Sequence, residues 1–278
     1  MLERSVLRGQ VLSFSGNEFG HGAAGVDFLP RPQVAAADVI LDDIARHVVG
    51  IGLHRETLRA AGRHLKRGVL LYGPPGSGKT LTVRHLLSAT PETTAVVLAG
   101  NSIRFVTEAA ELARAMQPAI VVLEDVDLIG EDRDLAHGPQ PLLFAMLDAL
   151  NGFDGDADVA FVLTTNRVEV LEHALADRPG RIDLAVEIPL PDPAARRRLL
   201  ELYARGLPLS PQAITEVAEA AEGVSGAFAK ELMRRTVLLA AEHGRAVTDD
   251  DLRTALATLL HARDKLTRQM LGSAPAGG

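Results

Sequence analysis

Short apolar runs alternate with amphipathic stretches through the middle of the chain. Residues 69–72, 95–99, 119–123, 159–164 and 184–188 are mostly apolar runs bounded by turn residues or charges. Runs that are apolar at both alternating positions predict strands buried on both faces, as in a parallel sheet. Between them, 80–88, 107–116, 142–151 and 168–176 carry apolar residues at helical spacing. Strands alternating with helices predict an α/β fold with helices on both faces of the sheet. Two more helices are expected at 39–49 and 56–65, ahead of the first strong strand. Beyond Pro189-Leu190-Pro191 the strand pattern stops, and 193–205, 211–222, 227–243 and 249–266 read as helices. Thr248 followed by Asp249, Asp250 and Asp251 predicts an N-cap with acids in the first turn.

This pattern divides the chain into an N-terminal arm (1–37), an α/β domain (38–190), a small helical domain (191–268) and a tail (269–278). The arm has a short alternating strand near 11–14 and a Gly-rich stretch, 16–25, that reads as loop. The tail consists largely of small residues from Gly272 and is expected to lack fixed structure.

Composition narrows the chemistry. The 278 residues carry a net charge of −7, which argues against nucleic acid or an anionic membrane as a bulk partner. There is no cysteine, so disulfides, thiolate metal sites and Cys nucleophiles are excluded, and a cytoplasmic location is the expectation. Met1 to Gln10 has no apolar core of a secretory signal, and no window approaches a membrane span. The nine histidines are scattered without ligand spacing.

The strongest chemical signal comes directly after the run 69–72. Gly73, Pro74, Pro75, Gly76, Ser77, Gly78, Lys79 and Thr80 fit G-x-x-x-x-G-K-[ST] between an expected strand and an expected helix. Glycines let backbone N–H groups turn inward around phosphate oxygens, and the new helix adds its positive N-terminal end. Lys79 is placed to reach the β- and γ-phosphates and Thr80 to ligate Mg²⁺. The run 119–123 then ends in Glu124-Asp125, with Val126 and Asp127 next. Two carboxylates at the end of a buried strand lie where open α/β sheets bind ligands. One is suited to hold Mg²⁺ through water, the other to polarise an attacking water.

Four motifs in order make a resemblance specific. The P-loop, Leu123 to Asp127, Thr164-Thr165-Asn166-Arg167 and Arg178-Pro179-Gly180-Arg181-Ile182-Asp183 resemble the classical AAA subfamily of AAA+ ATPases. Gly223-Val224-Ser225-Gly226-Ala227 resembles that subfamily's lid signature. The similarity extends over about 38–265. It implies a P-loop NTPase sheet in the order 5-1-4-3-2, a helical lid and a ring, usually a homo-hexamer. It also implies ATP and Mg²⁺ as cofactors, with Thr80 and Glu124 on the metal and Asp125 as the base. Asn166 takes the sensor role and Arg178 and Arg181 the arginine-finger role. Leu81, Gly226 and Ala227 join the nucleotide contacts. Tyr203 stands where relatives often have a histidine near the adenine, with Ile40 in the segment 38–40 on the other side.

Three departures qualify the resemblance. The acidic pair reads Glu124-Asp125, where Asp then Glu is usual. The aromatic–aliphatic–glycine step of threading members is missing, and Phe105, the one aromatic at that place, reads as core. An acidic residue expected before Gly152-Phe153 is replaced by Asn151. The function expected is an ATPase that couples hydrolysis to remodelling of a protein substrate or adaptor. The alternative is an ATP-gated assembly scaffold with little turnover.

Overall fold

The computed structural model describes residues 5–16, 23–32, 42–127, 157–169 and 182–272. The described residues divide into two compact units. The first comprises Met1–Pro74 with Gly78–Ile188, and the second Pro75–Ser77 with Pro189–Gly278. Among the described residues no helix is long and apolar enough to cross a membrane.

The first unit is built on a seven-stranded sheet. Its strands are β1 (Val11–Gly16), β2 (Ala23–Leu29), β3 (Arg67–Tyr72), β4 (Thr94–Ala99), β5 (Ala119–Glu124), β6 (Val159–Thr165) and β7 (Leu184–Glu187), in the order β2-β1-β4-β5-β6-β3-β7. The five apolar runs read from the sequence are β3 to β7, all parallel, and their spatial order is the 5-1-4-3-2 that the resemblance implies. The remaining two strands are an addition at the β4 edge. β1 pairs in parallel with β4 and antiparallel with β2. The sequence reading of 16–25 as loop therefore fails from Ala23 onward. Its small residues hid the alternation, and pairing with β1 supplies the backbone partners that side chains do not.

The period of the strands explains why the runs are apolar throughout. Leu70, Val121, Leu123, Phe161 and Leu163 point to one face, where Val106, Ala109 and Ala113 of α4 (Val106–Ala115) cover them. Val69, Leu71, Ile120, Val122 and Val162 point to the other, against Val83, Leu86 and Leu87 of α3 (Lys79–Ala89). Ile44 and Val48, from the helical segment 42–53 (α1), join the second core. The next helix, α2 (Arg55–Ala60), stops short of the expected 65 because Gly62 turns left-handed (φ 65°) and Arg63 N–H closes onto Leu58 O.

Two polar devices fasten this unit. Arg31 donates to the carbonyls of Leu87, Thr90, Thr93 and Gly9, which satisfies open acceptors at the end of α3 and ties the segment after β2 to it. Arg67 Nη1 meets Asp158 Oδ1 at 2.8 Å, with both side chains buried, so neither charge is left unpaired at the start of β3 and β6.

Phe105 settles the reading of the β4–α4 link. That link is a short 3₁₀-helix, Gly100–Phe105, that passes directly into α4. Ile103 and Phe105 are buried in it, and Phe105 packs against Phe14 of β1 with ring centroids 6.0 Å apart. Arg104 lies over the Phe105 ring at 4.7 Å. As a core residue, Phe105→Ala is expected to cost about 3–5 kcal/mol in urea unfolding while nucleotide affinity stays near wild type. Unchanged stability would return Phe105 to the surface role of a substrate-gripping residue.

The second unit holds four helices: α5 (Pro193–Tyr203), α6 (Pro211–Ala220), α7 (Gly226–Glu242) and α8 (Asp249–Gly272). Leu200, Ile214, Val217, Leu232, Met233, Leu252 and Leu256 form its core. Asp192, Ser210 and Ser225 cap the first three by accepting from Ala195, Ala213 and Phe228 N–H. At α8 the expected Thr248 cap works in the other direction. Asp251 Oδ2 accepts from the Thr248 N–H (2.9 Å) and hydroxyl (2.8 Å), and Arg245 holds the same carboxylate at 2.6 and 2.7 Å. The carboxylate of Asp251, at the third helical position, thus fills the reciprocal half of a capping box while it also accepts from Arg245.

Candidate functional site

The parallel register brings three strand ends level. Tyr72 of β3 stands beside Thr165 of β6, and Leu123 of β5 beside Leu163, so Gly73, Glu124-Asp125 and Asn166 emerge together at the carboxyl edge. This is where an open α/β sheet offers a crevice.

The loop that leaves β3 needs its glycines. Gly73 has φ 145°, and a Cβ there would lie 2.2 Å from the Ile188 carbonyl oxygen, so no larger residue fits. Gly76 and Gly78 also have positive φ, 74° and 121°. α3 starts at Lys79 directly after Gly78, which aims its unpaired N–H groups into the loop. The Ser77 hydroxyl is buried there without a partner.

Lys79 is buried at 5% exposure, and its ammonium donates to Gly73 O (2.8 Å), Pro74 O (3.0 Å) and Asn166 Oδ1 (2.8 Å). Burial lowers its pKa, and the nearby Asp125 and Asp127 oppose that shift. Glu124 ends β5 and accepts a hydrogen bond from Thr80. Burial raises the Glu124 pKa, the Thr80 bond lowers it, and the adjacent Asp125 charge adds to the rise.

Asp125 is the one non-glycine residue at positive φ among the described residues (54°). Its N–H donates to Thr164 Oγ1 at 2.9 Å, which fixes the turn away from β5. A carboxylate residue tolerates this region better than most, and such conformations cluster at functional sites. The Asn166 amide nitrogen lies 3.4 Å from Asp125 Oδ1 and 3.5 Å from Asp127 Oδ2. Asp127 is 5% exposed, and its Oδ1 accepts from the Asn166 N–H (3.0 Å) and the Thr165 hydroxyl (2.9 Å). Sequence reading places Asp127 within its motif but gives it no role. The acid two positions beyond Asp125 was the only available signal.

The residues fit a magnesium nucleotide. A glycine-lined loop, an orphaned buried hydroxyl, a helix start and one ammonium suit phosphate oxygens. Among the described residues no three His, Asp or Glu side chains form a metal cage. A divalent ion bound with the nucleotide would take Thr80 and Glu124 from this chain and the rest of its shell from phosphate and water, the arrangement Mg²⁺ favours.

Of the other expected contacts, Gly226 and Ala227 open α7, where the Ala227 N–H donates to Gly76 O at 3.4 Å, and Tyr203 ends α5. In the second unit Tyr203 and Ala227 share the wall of a groove of about 560 Å³ with Lys230 and Met233. Ile40, Arg178 and Arg181, with Asn151, the helix expected at 142–151 and all but the first two residues of the one expected at 168–176, lie outside the described residues.

Comparison with known proteins bears on the same segment. The model of the ATPase family associated with various cellular activities (AAA) matches residues 69–190. The chain is 33% identical over 266 residues, 89% of its length, to the ATP-dependent zinc metalloprotease FtsH 4 of Sphaerobacter thermophilus, of which it covers 40%. It is 31% identical to the proteasome-activating nucleotidase of Thermococcus onnurineus, with 88% of this chain and 66% of that protein aligned. For the Pyrococcus abyssi nucleotidase the values are 32%, 88% and 67%. The chain thus spans from two fifths to about two thirds of the length of these relatives.

Proposed function

The chain belongs to the AAA family of ATPases, and on that basis we propose that it hydrolyses Mg²⁺-ATP in a ring to remodel a protein partner. The observation that carries this reading is Lys79, held at the mouth of a glycine loop beside Asn166, with Glu124 and Asp125 one strand away. Lys79 leaves its carbonyl partners for the β- and γ-phosphates. Thr80 and Glu124 would hold the metal. When bound, the ion would offset the charge that develops on the phosphates.

Asp125 polarises the attacking water and Asn166 orients it, so positioning and charge stabilisation account for most of the rate. Arg178 and Arg181 act from the neighbouring subunit. Tyr203, Leu81, Gly226, Ala227 and Ile40 surround the nucleoside. The names of the relatives support a protein substrate. The buried Phe105 and the short β4–α4 turn support remodelling without an aromatic gripping residue at that place. The cysteine-free composition supports a cytoplasmic location.

The test is Lys79→Ala. A charge-assisted contact contributes about 1.5–3 kcal/mol, so calorimetry is expected to show ATP affinity falling by at least about one to two orders of magnitude. Undiminished affinity would remove the P-loop assignment. Phosphate release measured through ring assembly separates the ATPase from an ATP-gated scaffold.

A further inference from the structure

We propose that Asp127 is a positioning residue that sets the orientation of the Asn166 carboxamide, an inference that rests on the ATPase reading of this site. An amide can present either end to Lys79, and only the Oδ1 end suits an ammonium. Here Oδ1 faces Lys79 Nζ at 2.8 Å, and Nδ2 lies toward Asp125 and Asp127. Asp127 also accepts from the Asn166 N–H and from the Thr165 hydroxyl, so its carboxylate is fixed by the backbone it orients. The Thr165 hydroxyl in turn accepts from the Arg167 N–H at 3.0 Å. Among the described contacts Asp127 makes no hydrogen bond to Lys79 or Thr80: its charge is felt at Lys79, and its hydrogen bonds go to Thr165 and Asn166.

An Asn at 127 keeps the size of the side chain but turns an acceptor into an amide. Its own NH₂ opposes the Asn166 NH₂, and the neighbouring carboxamide gains nothing by keeping its orientation. Asp127→Asn is therefore expected to lower kcat by about 10²-fold, the scale of a small misplacement at a reacting centre. ATP affinity and the thermal midpoint are expected to stay near wild type, because no phosphate or metal contact is removed.

The deciding measurement is a double-mutant cycle with Asn166→Ala. If Asp127 works through Asn166, Asp127→Asn has little further effect on kcat in the Asn166→Ala background. Thr165→Val, which frees Asp127 from the other side, is expected to give a smaller loss that the same background also removes. That variant serves if Asp127→Asn does not fold. Additive losses in the cycle, or unchanged kcat in both variants, would overturn the proposal. Wild-type protein that binds Mg²⁺-ATP without turnover would instead overturn the ATPase reading. The Asn166 side-chain amide resonance, assigned against Asn166→Ala, then decides the role of Asp127. An Asp127→Asn protein that leaves this resonance unmoved refutes it.

Discussion

Asp125→Asn is expected to keep Mg²⁺-ATP binding and to reduce turnover by about 10²–10⁴-fold, the usual contribution of a positioned base. Asp125 has left the strand at φ 54°, with its N–H fixed on Thr164 and its carboxylate beside the Asn166 amide. Glu124 is still within β5 and is engaged by Thr80. The two carboxylates thus face different partners although they are adjacent in sequence. Glu124→Gln is accordingly expected to weaken the Mg²⁺-dependent part of ATP binding before it affects chemistry. Single-turnover kinetics and calorimetry with and without Mg²⁺ distinguish the two. Normal turnover in Asp125→Asn, with turnover lost in Glu124→Gln, would exchange the roles. The reversed acidic order would then be a reversal of spelling without a reversal of function.

Arg181→Ala is expected to leave ATP binding intact and to lower turnover by about 10³–10⁵-fold, the range of an arginine finger. Arg178 and Arg181 lie outside the described residues, so the expectation comes from the motif. Asp183, two positions beyond Arg181, is tied to the sheet. Its N–H donates to Gly68 O at 2.9 Å, and Gly68 N–H donates to Asp183 Oδ2 at 2.8 Å. If the finger acts in trans, activity per subunit rises with protein concentration, and Arg181→Ala removes that rise. Mixing Arg181→Ala with Lys79→Ala is expected to restore part of the turnover, since one subunit supplies the finger and the other the pocket. Activity independent of concentration in a demonstrably monomeric sample would sink the ring model.

Four of the five parallel strands, β3 to β6, were legible because each is buried on two faces, while the edge strand β7 alternates and turns Ala185 and Glu187 outward. The P-loop was legible because Gly73 admits no side chain against Ile188, so its chemistry is written as residue identity. The hairpin partner β2 was not legible. Ala23, Ala24 and Gly25 carry no hydrophobic signal, and the strand exists by backbone pairing to β1. The Thr248 cap was legible in its place but not in its partners, because the Asp251 carboxylate accepts from both Thr248 and Arg245, and Arg245 lies outside the capping pattern.

Residue order alone was enough for the parallel α/β pattern, the phosphate loop, the acidic strand end and the all-helical second part. Each depends on local rules: strand period, glycine conformation and helix capping. Tertiary packing was needed to decide which acids meet Asn166, that Phe105 closes a core against Phe14, and that β1 and β2 extend the sheet. These depend on register between strands far apart in the chain. A shift of one residue would turn Asp127, Asn166 and Phe105 to other faces, and no local pattern carries that information.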